Sequence, residues 1–224
     1  MPYPEKRMFY DFKLDEDQRK YVDSMYDNQL TIVDSKAGTG KTTLAVGMAY
    51  AIGMKLVYIF APVQEMTMGY RPGTQKEKES DYLAPLHSAL IDININPSGA
   101  IYDEELAKDP IKGKEMLRLA KEGKCWVFPK SHTFARGTNI RSRFVIIDEA
   151  QNFTKSDLRK VLTRIHDDCK VVVIGNVAQI DLKDPKQSGF AFYRDYFAQK
   201  DYCSVCELTH NYRGQLAQDA DNAE

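Results

Sequence analysis

The chain has 224 residues, 28% of them charged, and a formal net charge of −1 at pH 7, which fits one large domain with a substantial core. The near-neutral balance gives no general argument for a polyanionic partner, so any nucleic-acid surface must be local. No run approaches the ~20 apolar residues that span a bilayer, and the first residues lack the apolar core of a secretory signal, so we expect a cytoplasmic protein without a membrane partner.

The first predicted element is a helix over residues 14–26 with Asp15 as its cap, because apolar residues recur on one face. Gln18 lies in this helix, and an amide side chain can make the paired donor and acceptor contacts that select adenine. Aromatic side chains before it are candidates for covering the base, namely Phe9, Tyr10 and Phe12.

An apolar run over 30–33 predicts a strand, and an Ala-rich helix is predicted from Lys41 to about residue 52. The segment between them matches the phosphate-binding P-loop, G-x-x-x-x-G-K-[ST], except at its first position. Such loops direct backbone N–H groups at phosphates, and the helix directs the positive end of its dipole at the same point. The predicted nucleotide-binding residues are Gln18, Ser35, Lys36, Ala37, Gly38, Thr39, Gly40, Lys41, Thr42 and Thr43.

Within this loop, Lys41 is predicted to reach the β- and γ-phosphates of ATP, and Thr42 to place its hydroxyl on Mg²⁺. Ser35 stands at the position of the usual first Gly. Where the backbone needs a positive φ or a very close approach to the ligand, Ser adopts that conformation only at some cost. The alternative interpretation is an ordinary Gly-rich turn before a helix.

A second strand is predicted over 56–60, and it completes a strand–loop–helix–strand unit of the kind that the crossover rule places in a parallel sheet. From residue 66 to about 124 the pattern changes to charged and Gly/Pro-containing segments with short helices around 83–90 and 104–119. We expect an insertion or lid at about 66–124 within a single P-loop ATPase domain spanning 1–224.

Regular alternation of strands and helices then resumes. Apolar, mostly β-rich runs predict strands at residues 125–128, 144–147, 171–174 and 204–208, and helices are predicted at 155–165 and 190–197. Such continuous runs are typical of sheets covered on both faces. The sequence therefore predicts an α/β fold of the P-loop NTPase type, with a mostly parallel sheet, helices on both faces and a helical insertion after the second strand.

Two acids end the run at 144–147. Asp148 and Glu149 stand where a central strand delivers carboxylates to its carboxyl edge beside a P-loop. Asp148 is predicted to hold Mg²⁺, directly or through water, and Glu149 to orient and polarise the attacking water. The alternative is two helix-starting acids after a core strand, but the P-loop favours the catalytic interpretation because the two elements need each other.

Two further residues complete the predicted catalytic set of Lys41, Asp148, Glu149, Gln179 and Arg213. Gln179 follows a strand end, where an amide can contact the γ-phosphate or the attacking water; the alternative is a polar loop residue. Charge on the γ-phosphoryl group is commonly stabilised by an arginine supplied in cis or by a neighbouring subunit. Arg213 is the best placed, Arg164 and Arg141 are alternatives, and each could instead be a surface ion-pair partner.

Residues 108–143 contain ten Lys or Arg and three Asp or Glu, interleaved with aromatic side chains that include Trp126, Phe128 and Phe134. This basic stretch could follow a phosphate backbone, with aromatics available for base stacking. An equally weighted alternative is a solvated helix face plus core aromatics. Cys203 and Cys206 suggest zinc only weakly, because a structural site normally needs four ligands from two clusters.

Together these motifs resemble the PhoH-like ATPases, whose core is similar to the first motor domain of superfamily-one helicases. The matching segments are residues 37–42, 81–86, 136–138, 145–152, 162–164 and 175–181, and they cover nearly all of the chain after Gln18. The Asp-Glu-Ala-Gln-Asn string at 148–152 and the later Gln-Ile-Asp at 179–181 are specific. Asn176 departs from the Asp that is usual in the family, which weakens any role for a carboxylate at that strand end.

The resemblance implies ATP binding and hydrolysis, a RecA-like sheet, assembly into a ring such as a hexamer, and action on RNA or single-stranded DNA. A motor domain of this size covers only one side of the nucleotide, which separately favours a homo-oligomer. The predicted function is therefore a Mg²⁺-dependent ATPase that acts as a helicase or translocase. Alternatives are a nucleotide-dependent switch or assembly protein without motor activity, and a P-loop kinase, for which no acceptor-binding motif stands out.

Overall fold

A computed structural model of the chain describes residues 13–61, 82–110, 112–132, 139–221 and 223. The strands are β1 (Leu30–Asp34), β2 (Leu56–Phe60), β3 (Val127–Ser131), β4 (Phe144–Ile147), β5 (Lys170–Gly175) and β6 (Cys203–Cys206). The α-helices are α1 (Glu16–Asp27), α2 (Lys41–Ala51), α3 (Ala84–Asp92), α4 (Pro97–Ala100), α5 (Lys112–Lys121), α6 (Lys155–Leu162), α7 (Phe190–Phe197) and α8 (Gln215–Asp221). Single turns of 3₁₀ helix lie at Leu106–Lys108, Ala150–Asn152 and Pro185–Gln187.

The six strands form one parallel sheet in the order β3-β2-β4-β5-β1-β6. Every strand therefore ends at the same edge of the sheet. β5 lies between β1, which leads into the P-loop, and β4, which leads into Asp148. The predicted α/β architecture with a parallel sheet is confirmed.

Helices cover both faces of the sheet, as the continuous apolar strands indicated. On one face, α1, α2 and α3 pack against alternate strand residues in a core that includes Tyr21, Leu44, Leu90, Phe144 and Ile174. On the other face, α6 and α7 pack in a core that includes Ile32, Val145, Leu158, Val173 and Phe190. Because successive residues of a strand point to opposite faces, each strand contributes to both cores.

Element boundaries differ from expectation where local geometry intervenes. β3 runs two or three residues later than predicted and contains Pro129, which is tolerated because β3 is an edge strand. The short helices predicted around 104–119 are a 3₁₀ turn followed by α5, with Asp109 accepting a hydrogen bond from the N–H of Lys112 between them. The C-terminal helix α8 was not anticipated.

Short helices do follow β2, but residues 62–81 lie outside the described residues, so the expected extent of an insertion or lid stays a prediction. None of the helices in the described part of the chain is long and apolar enough to cross a membrane.

Gly175 is the last residue of β5 and lies against the ring of Phe190. A Cβ at this position would lie 2.7 Å from the nearest ring carbon, and Phe190 is 1% exposed in the core. We expect Gly175→Ala to lower the free energy of unfolding by about 1–3 kcal/mol through overpacking, measured by urea denaturation. Gly99→Ala is the matched control, because no heavy atom of the described residues beyond its chain neighbours and its own helix backbone lies within 4 Å of its Cβ position. Equal stability of the two variants would contradict this account.

Candidate nucleotide-binding and catalytic site

The P-loop joins the end of β1 to the start of α2, and two of its glycines adopt backbone conformations that other residues rarely take. Gly38 has a φ of +81° and Gly40 a φ of +80°, both in the left-handed region. Gly40 directly precedes α2, and no side chain among the described residues caps that helix. The first N–H groups of α2 are therefore arranged as in anion-binding helix N-termini.

Ser35 fits the first position of the loop without backbone strain. Positive φ among the described non-glycine residues occurs at Asn94, Ser142 and Glu149, so Ser35 is outside the left-handed region. Its buried hydroxyl accepts a hydrogen bond from the N–H of Leu208 at 2.6 Å. The cost expected from a positive φ at Ser35 does not arise, and the side chain instead ties the P-loop to the chain after β6.

The ammonium group of Lys41 folds back onto the loop. Nζ donates to the carbonyl oxygen of Lys36 at 3.0 Å, which Thr39 Oγ1 also contacts at 3.2 Å. Desolvation lowers the pKa of Lys41, whereas the nearby charges of Asp148 and Glu149 act to raise it. A cation therefore lies beside both predicted catalytic acids.

Asp148 follows β4 and is almost completely buried, with 1% exposure. Its Oδ2 accepts hydrogen bonds from Thr42 Oγ1 at 3.1 Å and from Tyr58 OH at 2.5 Å, and its Oδ1 accepts one from the N–H of Glu149 at 2.9 Å. The two predicted metal ligands, Thr42 and Asp148, are thus in direct contact although they are distant in sequence.

The oxygens of Thr42 and Asp148 have a separation that suits magnesium. Mg²⁺ binds oxygen at about 2.0–2.1 Å in octahedral geometry, which puts adjacent ligands roughly 2.9 Å apart. The observed 3.1 Å between Oγ1 and Oδ2 is close to that spacing. These two residues could therefore hold the ion together with phosphate oxygens and water.

Glu149 adopts a conformation that non-glycine residues rarely take. Its φ is +50°, and its carboxylate Oε2 accepts a hydrogen bond from Gln151 Nε2 at 2.6 Å. Although part of the side chain faces solvent, desolvation and then repulsion from Asp148 raise the pKa of Glu149, while the bond from Gln151 acts to lower it. Strained backbone and a raised carboxyl pKa are both typical of functional acids.

Gln151 connects Glu149 to the end of β5. It is 1% exposed, and its Oε1 accepts a hydrogen bond from the N–H of Asn176 at 3.1 Å. Gln179 lies in the loop that follows, with its N–H donating to the carbonyl of Asn176 at 3.2 Å. The predicted sensor residue is therefore at the same sheet edge as the two acids, on an exposed loop.

Asp34 fixes this loop from the other side. One oxygen of its carboxylate accepts a hydrogen bond from the N–H of Val177 at 3.1 Å, and the other pairs with Arg194 of α7. The last residue of β1 thus holds the loop that carries Gln179 next to the start of the P-loop.

Arg213 lies against the P-loop of its own chain. A Cβ on Gly38 would be 2.6 Å from Arg213 Cγ, and the N–H of the adjacent Tyr212 donates to the Gly38 carbonyl at 2.9 Å. Arg164 and Arg141 instead lie near the amino ends of β4 and β5, where the carbonyl of Arg164 accepts from the N–H of Ile140 at 2.8 Å. Of the three arginines proposed from sequence, only Arg213 is beside this P-loop.

Gln18 contacts the P-loop from α1. Its Nε2 donates to the carbonyl of Thr39 at 3.1 Å, and its Oε1 accepts from the Asp15 N–H at 3.3 Å in the capping box of α1. Thr43 turns away and donates to Asp92 of α3 at 3.0 Å. An adenine contact from Gln18 stays a prediction, and its aromatic candidates, Phe9, Tyr10 and Phe12, lie outside the described residues.

Several contributors to this site were missed in the sequence. Tyr58 donates a hydrogen bond to Asp148, and Gln151 donates one to Glu149. Asp34 and Arg194 hold the loop after β5. The OH of Tyr212 lies 2.8 Å from Asp15 Oδ2 and 3.2 Å from Gln18 Oε1. Gln151 stood within the segment 145–152 and Tyr212 directly precedes Arg213, so proximity to a predicted catalytic residue was an available signal. Tyr58 and Arg194 carried none, because a strand Tyr and a helix Arg are ordinary.

The basic stretch at 108–143 divides into two parts. Trp126 is 6% exposed and packs on Tyr50 with ring centres 5.3 Å apart, while Arg118 pairs with Glu115 and Glu122 on α5. For these residues the interpretation as core aromatics and a solvated helix face is correct. Arg136 and Phe134 lie outside the described residues.

The other part forms a basic groove of about 340 Å³ beside β3, lined by Val57, Phe128, Lys130, Asn139, Ile140, Arg141 and Arg143. Three of these side chains are cationic and none is acidic. Lys130 lies 3.4 Å from Glu104, whereas Arg141 and Arg143 make no ion pair with a carboxylate of the described residues. This groove is a local concentration of positive charge on a near-neutral chain.

The parallel sheet, the P-loop and the acids at the end of β4 together define a P-loop NTPase with a RecA-like fold. The chain belongs to the PhoH-like protein family, whose sequence model matches residues 13–223.

Comparisons with known proteins support the family, through related sequences, and the fold, through solved structures. The PhoH-like protein of Bacillus subtilis (strain 168) is 34% identical over 197 residues, covering 85% of this chain and 56% of the relative. That of Mycobacterium tuberculosis (strain ATCC 25618 / H37Rv) is 34% identical over 198 residues, covering 86% and 51%. The chain thus spans about half the length of these curated relatives.

Two solved structures share the fold at low sequence identity. The large terminase of a thermophilic bacteriophage has a TM-score of 0.55 at 12% identity, covering 92% of this chain and 49% of the terminase. The Hef helicase domain of Pyrococcus furiosus has a TM-score of 0.52 at 11% identity, covering 91% and 40%.

Proposed function

We propose that this protein is a Mg²⁺-dependent ATPase that acts on RNA or single-stranded DNA as a homo-oligomer, as a helicase or translocase. The observation that carries the ATPase is the convergence of the P-loop with Asp148 and Glu149, in which Thr42 contacts Asp148 at 3.1 Å. A phosphate cradle beside a metal-binding pair and a second acid supports hydrolysis of a nucleoside triphosphate.

Each residue then has a distinct task. The loop N–H groups and Lys41 bind the phosphates, and Thr42 with Asp148 would hold Mg²⁺, which would neutralise charge on the phosphate oxygens. Glu149 orients a water and accepts its proton as the water oxygen attacks the γ-phosphorus and the bond to the β-phosphate oxygen breaks. Gln179 contacts the γ-phosphate, and Arg213 stabilises the developing charge from within the same chain.

The nucleic-acid part of the proposal is supported by the basic groove. Lys130, Arg141 and Arg143 present positive charge around the Phe128 ring, a combination that suits a phosphate backbone with a base stacked beside it. Assembly into a ring such as a hexamer is proposed because one domain of this size covers only one side of a bound nucleotide, so another subunit would supply the closing surface.

Removing the phosphate-binding and water-activating groups separately tests the ATPase. Lys41→Ala is expected to weaken ATP binding and to abolish hydrolysis, whereas Glu149→Gln is expected to keep binding and to slow turnover by about 10²–10⁴-fold. Calorimetry with Mg²⁺ and ATP, and release of phosphate, measure the two effects. Lys183→Ala and Glu207→Gln make the same substitutions at exposed positions and should behave as wild type. Equal loss of ATP affinity in both site variants would contradict the assigned roles.

A second prediction tests the motor against the nucleotide-dependent switch. Saturating single-stranded RNA or DNA is expected to accelerate ATP hydrolysis, and Arg141→Glu/Arg143→Glu should reduce this acceleration at least tenfold while leaving the basal rate unchanged. Lys114→Glu/Lys121→Glu makes the same charge change on the exposed surface of α5 and should have little effect. An unchanged hydrolysis rate with either nucleic acid would refute the motor and favour the switch.

The pH dependence of hydrolysis tests the base. Because the pKa of Glu149 is raised above 4.5, kcat/KM should fall on the acid side through a midpoint above that value as Glu149 becomes protonated. Gln151→Ala removes a hydrogen bond that favours the carboxylate, so its acid limb should move to higher pH. Gln187→Ala, which removes an amide–carboxylate contact at the surface, is the control. Protonation of ATP itself affects the wild type and both variants equally. An acid limb of the kcat/KM profile that does not move in Gln151→Ala would therefore argue against Glu149 as the base.

A further inference from the structure

Asn176, directly after β5, has a buried hydrogen-bond donor that none of the described residues accepts. The residue is 6% exposed, its Oδ1 accepts a hydrogen bond from the Ala178 N–H at 3.0 Å, and its own N–H donates to Gln151 Oε1 at 3.1 Å. Its Nδ2 has no hydrogen-bond partner among the described residues. Buried polar groups in folded proteins are nearly always paired, so this donor indicates an acceptor outside the described residues.

The orientation of the amide group follows from its neighbour. The N–H of Ala178 can only donate, so the oxygen of the Asn176 side chain must face it and the NH₂ group must be the free end. In the reverse orientation the NH₂ group of Asn176 would face the N–H of Ala178, so two donors would meet, and Oδ1 would lose this hydrogen bond.

The strand pattern places this side chain on the face that carries α2. Val173 belongs to the core beneath α6 and α7, Ile174 to the opposite core beneath α2, and Gly175 faces Phe190 of α7. Alternation therefore puts Asn176 on the α2 face. Asp148, at the end of the neighbouring strand, is on the same face, because it contacts Thr42 of α2.

The surroundings favour an anionic acceptor. The N–H of Ser35, the first residue of the P-loop, donates to the carbonyl of Gly175 at 3.0 Å, so Asn176 lies beside the start of the phosphate-binding loop. Through Gln151 it is also linked to Glu149. A neutral donor between the P-loop and the water-activating acid can bind phosphate oxygen without adding negative charge to a site that already has two carboxylates.

We propose that Asn176 donates a hydrogen bond from Nδ2 to an oxygen of the terminal phosphate of a bound nucleoside triphosphate. This contact, which rests on the proposed function, makes Asn176 a specificity-determining residue that distinguishes a triphosphate from a diphosphate. It is separate from the role of Gln179, whose side chain is on the exposed loop.

Binding of ADP and of a non-hydrolysable ATP analogue, measured by calorimetry with Mg²⁺, tests the contact. Asn176→Asp keeps an acceptor for Ala178 and replaces the donor with an acid, and it should weaken analogue binding at least tenfold with less than a twofold change for ADP. Asn176→Ala should also weaken binding of the ATP analogue more than binding of ADP. Asn96→Asp is the matched control, because Asn96 Oδ1 accepts the Ser98 N–H at 3.0 Å in the same i to i+2 arrangement outside the site.

Equal loss of affinity for both nucleotides, or no loss for either, would overturn the proposal and make Asn176 a turn residue only. If the variants do not fold, a structure of the wild-type protein with the analogue and Mg²⁺ decides: Nδ2 within about 3.2 Å of a γ-phosphate oxygen supports the contact. A bond from Nδ2 to water or protein alone refutes it. A wild-type protein that binds neither nucleotide would refute the proposed ATPase itself, which is a separate outcome.

Discussion

The pairing of β5 with β1 on one side and β4 on the other is the constraint on which the site depends. Ile174 pairs with Val33 and Val173 pairs with Ile147, so the P-loop, the β5 loop and Asp148 all begin at one edge of the sheet. A slip of one residue would move each side chain to the other face. Asp148 would then face α6 and α7, and its contact with Thr42 would be lost.

A second level of organisation comes from the two ends of the described chain, which close on the P-loop. α1 reaches the loop through Gln18, and the segment after β6 reaches it through Leu208 and Tyr212. These contacts bond to the carbonyls of Thr39 and Gly38 and to the Ser35 hydroxyl, so they fix the loop without using the N–H groups that a phosphate needs. The loop is thereby organised before ligand binds, which reduces the entropy lost on binding.

Two charged groups of the site, Lys41 and Glu149, are shifted towards their neutral forms by desolvation. Asp148 and Glu149 lie near Lys41 and Arg213, and desolvation shifts the pKa of Lys41 down and that of Glu149 up, each towards its neutral form. Bound phosphates would favour the charged form of Lys41, and Mg²⁺ would favour ionised carboxylates. The hydrogen bond from Gln151 fixes the orientation of the Glu149 carboxylate beside Asp148.

The sequence by itself determined the local features that depend on neighbouring residues. The P-loop glycines, the Asp15 cap, the apolar strands and the two acids after β4 follow from backbone requirements and periodicity, so Lys41, Thr42, Asp148 and Glu149 could be named in advance. Membership of the family was also readable from those motifs. Short helices were also predicted around 104–119, but apolar spacing there could not give the bounds of the 3₁₀ turn and of α5.

Only the tertiary structure decided how distant residues meet. Nothing in the sequence relates Tyr58 to Asp148 or Gly38 to Arg213, because these contacts arise from strand order and from the return of the chain after β6. The same is true of Asn176. Its departure from the usual acid was visible, but only the packing of three strands and a neighbouring loop leaves its buried donor without a partner among the described residues. Periodicity reports which face a residue takes, and the register of non-local pairing decides what lies on that face.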